Sequence, residues 1–142
     1  MTEADIRKEL IALIPEKVGV RPEEVMPDAD IEKDLGCTGD DFFELMEAYA
    51  QHFNVDMSGF LWYFHTSEEG HNLGGLFTRS PDQRVQRIPV TLDLLVHSAL
   101  NRKWSVVYPH HQIPEQRWDL RINQILGLVV INWAVISLLR HC

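Results

Sequence analysis

Cysteine is nearly absent, with Cys37 and Cys142 the two thiols in 142 residues. So sparse a pair makes no disulfide framework, which excludes a small stapled secreted scaffold and fits a reducing cytoplasm. Positive charge is also scarce: 13 lysines and arginines stand against 21 acids, a formal net charge of −8. A nucleic-acid backbone needs a basic footprint, so nucleic acid is excluded as the main partner. A basic and then apolar leader is missing too. Met1 is followed by the acidic TEAD, and no N-terminal signal is expected. The glycine-rich GHNLGG lacks the Lys-Ser/Thr ending of a phosphate-cradling loop. No repeat or low-complexity tract breaks the chain.

What is present suffices for a core. Hydrophobic residues make up 45% of the chain, too many for a disordered one. Charge is unevenly spread: residues 1–60 hold 15 acids and 5 bases, residues 61–142 hold 6 and 8. The acidic half offers a surface that attracts basic patches on other proteins, or else a face that is simply solvated.

The pattern is helical. Thr2 and Asp5 stand at capping-box spacing before Ile6, Leu10, Leu13 and Ile14, and Pro15 is expected to stop or kink that first helix. Val18, Val20, Val25, Ile31 and Leu35 are expected to pin the long connection that follows to the core. Thr38 reads as the N-cap of the clearest helix, with Asp41 three residues on. Phe42, Leu45, Met46, Tyr49 and Phe53 fall on one arc of it, and Asp40, Glu44, Glu47 and Gln51 lie opposite. The aromatic run Phe60, Trp62, Tyr63 and Phe64 is expected to lid a helical core, since no polar pattern marks a ligand groove. Residues 66–88 read as loop. Thr91 then caps a third helix with Leu92, Leu95, Val96 and Ala99 on one side, closing the domain near Trp104.

Asp34, Leu35 and Gly36, then Asp41, Glu44, Leu45 and Phe53, resemble the acyl carrier protein family without a gap over residues 34–53. The GDD that follows, the aromatic run with EEG, and the late PVTLDLLV before KW resemble a small bacterial subfamily of carrier-like proteins of unknown function. The resemblance implies an all-α, acyl-carrier-like bundle over residues 1–104, with Gly39 at the family's serine position. Glycine has no hydroxyl with which to attack the pyrophosphate of coenzyme A, so phosphopantetheine is not expected. Thr38 is a weak substitute, because an N-cap oxygen is expected to be held by backbone amides, and Ser58 and Ser67 lie outside the motif. The resemblance leaves a docking surface of Asp40, Asp41, Glu44 and Glu47 for a protein partner with a basic patch, each of them otherwise a solvated side chain. The alternative is a working acyl carrier in fatty-acid, lipid or secondary metabolism, loaded at a non-standard hydroxyl.

After the linker 105–121, residues 122–139 read INQILGLVVINWAVISLL, with no formal charge. As a helix they span ~27 Å, close to the hydrocarbon thickness of a bilayer. Arg117 and Arg121 flank the N-terminal side, as expected for a domain on the cytoplasmic face of the inner membrane, held by a single C-terminal anchor. The competing expectation is a buried helix containing Asn123, Gln124, Asn132 and Ser137, but its apolar residues surround the axis. Seven histidines raise the question of metal, yet His65, Glu68, Glu69 and His71, like the adjacent His110 and His111, lack the spacing of a known site. No metal, cofactor or catalytic residue is expected. Cys142 is no prenylation signal. The sequence thus reads as a non-enzymatic, membrane-tethered interaction module.

Overall fold

The computed structural model describes residues 1–68, 70 and 72–141. It is all-helical, as expected, with α1 (Glu3–Val18), α2 (Gly39–Phe53), α3 (Leu92–Leu100) and α4 (Trp118–His141). Among the described residues, β-pairing is limited to two isolated bridges, Asp30 with Thr91 and Asp56 with Lys103.

α1 starts on the expected capping box. The Asp5 N–H donates to Thr2 Oγ1 at 3.2 Å, and the Thr2 N–H donates to the Asp5 carboxylate at 2.9 Å. Pro15 does not stop it. So near the C-terminal end a proline removes one backbone bond, and the turn closes behind it: Gly19, at φ 79°, donates its N–H to the Pro15 carbonyl. Ile6, Leu10 and Ile14 are buried against Phe42, Leu45, Met46, Tyr49 and Phe53 of α2 and Leu92, Leu95, Val96 and Ala99 of α3. Each such side chain contributes roughly 1.5–3 kcal/mol by leaving water. Tyr49 spans the core, its hydroxyl donating to the Leu95 carbonyl at 2.8 Å, so burying its polar end carries no orphan donor.

The connection between α1 and α2 is pinned as expected. Val25, Ile31, Leu35 and Cys37 are buried, and the Ile31 N–H donates to the Val90 carbonyl at 2.9 Å. The packed body runs on past Trp104: Val106 and Tyr108 lie against the core, and His111 reaches Tyr63 at 2.9 Å. α4 begins at Trp118, four residues before the uncharged stretch, and its apolar side chains face outward all round.

Candidate functional site

α2 turns its acidic face to solvent because its apolar arc is taken up by the core. Asp40, Asp41, Glu44 and Glu47 are all exposed, and among the described residues none has a cationic partner. Asp40 and Asp41 occupy the first turn, where the helix dipole favours negative charge. Glu47 accepts from Gln51 one turn on, at 3.1 Å. Beside this stripe stands Phe43, 42% exposed, although Phe42 next to it is fully buried. Phe43 meets Trp62 edge-on, ring centroids 6.3 Å apart, and the two help to line a cleft of about 220 Å³ with Gly39, Asp40, Ser67 and Glu68. The result is an aromatic spot with an acidic rim.

A buried polar network fixes the cleft wall. The 3-10 turn Trp62–Phe64 is followed by His65, fully buried, whose ring stacks on Phe60 at 5.1 Å and meets Trp104 edge-on. The Ile88 carbonyl can only accept, so His65 Nδ1 carries the proton and donates to it at 2.9 Å. His65 Nε2 therefore accepts from the Tyr108 hydroxyl at 2.8 Å, and that hydroxyl accepts in turn from Trp104 Nε1 and the Leu61 N–H. Burial pushes the imidazole down to about 4 and so keeps it neutral, with the Arg87 charge acting the same way against the Ile88 bond. Arg87 pairs with Asp30 and, at 2.9 Å, with Glu32. Burial alone would raise the Asp30 carboxyl, but the bond and charge of Arg87 hold it below its ordinary value. Glu32 accepts from Thr66 Oγ1 at 3.1 Å and from the Ser67 N–H at 2.9 Å, fixing the cleft's edge.

The cleft adjoins the root of α4. Glu68, on the cleft wall, pairs with Arg117 at 2.6 Å, and Arg117 also grips Asp119 at 2.6 Å. Asp119 is 2% exposed and accepts from Asn72 Nδ2 at 2.8 Å. The flanking Arg117 is thus a clasp between body and helix, while Arg121 lies over the Trp118 ring at 5.2 Å. The helix Trp118–Arg140 is long and apolar enough to cross a membrane, and none of its apolar window is buried in the body.

The four acids expected to form one surface do share the outer side of α2. Thr38 departs from its expected role: it is the N-cap by position, yet it is exposed and its side chain makes no capping bond. Gly39, buried at φ 52°, explains the local sequence, since a side chain there would strain a left-handed backbone. The aromatic run divides. Phe64 is buried as expected, whereas Trp62 turns partly outward to Phe43. Phe43 went unread in the sequence, although an aromatic at about 60° from the acidic stripe signals a half-exposed anchor. Among the described residues no three His, Cys, Asp or Glu side chains converge to hold a metal ion, and Glu69, His71 and Cys142 lie outside the described residues. Cys37 is buried, and that burial, with the charges of Asp41 and Glu32, pushes its thiol up to about 11, far from nucleophilic.

No curated protein and no solved structure matches the chain. The family whose model matches is described only as of unknown function, and nothing in the match indicates an acyl carrier protein, so the carrier resemblance read over residues 34–53 is corrected to a likeness of local pattern. Asp34, Leu35 and Gly36 lead from the pinned loop into an amphipathic helix, and Gly39 serves that turn by its left-handed backbone. The match spans residues 3–108, well over half of the chain, and the protein belongs to the family described as a protein of unknown function (DUF1493).

Proposed function

We propose that this protein is a non-enzymatic interaction module, tethered to a membrane by α4, that docks a protein partner carrying a basic patch through the outer face of α2. The observation that carries the reading is Phe43, held half-exposed against Trp62 beside Asp40, Glu44 and Glu47. Aromatic anchors within a charged rim concentrate binding energy, and the rim steers a partner of opposite charge. Glu68 belongs both to the cleft and to the clasp at the root of α4, so a partner seated there sits close to the membrane surface. The body lies on the cytoplasmic side of that membrane, the inner membrane, with Arg117 and Arg121 at the near end of the helix. The protein works through shape and charge, without a prosthetic group or metal, and nucleic acid is not its partner.

The test is capture from solubilised membranes with the full chain as bait. A defined partner should be retained by the wild type and lost both on Asp40→Lys with Glu44→Lys and, separately, on Phe43→Ala. Equal capture by all three proteins would leave this face without a role.

A further inference from the structure

Beside the root of α4 lies an apolar patch that the core does not use. The 3-10 turn Leu73–Leu76 and the next residue present Leu73, Leu76 and Phe77, the last two 83% and 74% exposed. This loop is fixed on the helix. The Gly74 N–H donates to Asn123 Oδ1 at 2.7 Å, Asn123 Nδ2 donates to Asn72 Oδ1 at 2.9 Å, and Asn72 Nδ2 donates to Asp119. Gly74 also lies so close to the Asp119 carbonyl that a Cβ would overlap it.

The loop therefore covers the step from Asp119 to Asn123, a rise of about 6 Å, one turn into α4. Asn123, with Gln124, stands just before the apolar run from Ile125 to Leu139, so the bonds from the loop satisfy a polar side chain at the edge of that run. Trp118, exposed at the same end, suits the headgroup level, and Arg79 and Arg84 line a small recess beside it and supply the positive charge that suits lipid phosphates. A second copy of the chain is the less apt occupant, because the patch continues onto α4, whose apolar window is exposed and is long and apolar enough to cross a membrane.

We propose that Leu73, Leu76 and Phe77 form a second membrane contact, a wedge that enters the headgroup and acyl boundary beside α4 and fixes the orientation of the body. This rests on the reading of α4 as a membrane anchor. With the wedge and the helix both engaged, the body cannot swivel, and the cleft at Phe43 is held at a constant angle to the bilayer.

The test uses the full chain in vesicles of phosphatidylcholine and phosphatidylglycerol, with an environment-sensitive fluorophore at single cysteines. Phe77→Cys and Leu76→Cys probe the wedge, Val130→Cys reports the anchor, and Glu47→Cys serves as the aqueous reference. Cys142 is replaced by serine, and Cys37 is buried and unreactive. All four labelled positions are exposed, so the labels leave the core intact. The wedge predicts blue-shifted emission, quenching by brominated lipid and protection from iodide at positions 76 and 77, as at 130 and unlike 47. Lipid quenching at 130 with free iodide access at 76 and 77 would overturn the wedge alone. Iodide access at 130 would overturn the anchor and the wedge together. Protection at 76 and 77 without lipid quenching would mean that protein covers the patch, which also contradicts the proposal.

Discussion

At the scale of single residues, His65 and Arg87 carry the sharpest consequences. His65 is neutral in the fold, near 4 against an ordinary 6.5, so between those values the unfolded chain binds the extra proton. Its contribution is complete above pH 6.5 and is lost as pH falls toward 4, a decline of up to roughly 3 kcal/mol. Urea unfolding across that window should follow this slope, and His65→Leu should flatten it. Asp30 adds a further loss at lower pH, since its depressed carboxyl stabilises the fold only while ionised. Arg87→Met strips both Asp30 and Glu32 of their cation in a mostly buried setting, and equilibrium unfolding should record a loss of about 3 kcal/mol. The Phe43→Ala variant is its opposite. Its ring is half in water, so the melting temperature should hardly move, while partner affinity falls about tenfold, as for a hot-spot aromatic.

At the scale of elements, the seat of α4 depends on the absence of a side chain at Gly74. Gly74→Ala drives a methyl into the Asp119 carbonyl and should lift the loop Leu73–Phe77 from the helix. Limited proteolysis should then cut within residues 72–80 while the three-helix body unfolds as before, and an uncut loop would count against this seat. The three core helices were legible from apolar spacing and from the Thr2 and Thr91 caps, because those signals are local. The outward helical tail was legible for the same reason, its apolar residues leaving no polar side. Residues 66–88 were legible as loop, but how the loop is held was not: its described residues are tied down by single long-range bonds, Glu32 to Thr66 and Ser67, His65 to Ile88, and Asn72 to Asp119 and Asn123. No period in the sequence records such partners. The candidate site was half legible: the acids follow from periodicity, whereas the outward turn of Phe43 depends on where Trp62 is held. The carrier likeness failed because twenty residues of acids and apolar arc describe an amphipathic helix and little more.

At the scale of the whole molecule, a compact body and an exposed apolar helix meet through the Glu68, Arg117 and Asp119 clasp. Such a helix is stable in lipid and costly in water, so the full chain should sediment with membranes and resist carbonate extraction. A chain ending at residue 117 should be soluble, and a full chain recovered in the soluble fraction would remove the tether. The central claim is that the outer face of α2 engages a partner at that membrane. Its most direct test is a photoreactive amino acid placed at Phe43 in the full-length protein, with crosslinking in intact cells of its own host. One discrete adduct is expected in the membrane fraction, and it should disappear when Asp40 and Glu44 are changed to lysine. No adduct, or one indifferent to that charge reversal, would contradict the claim.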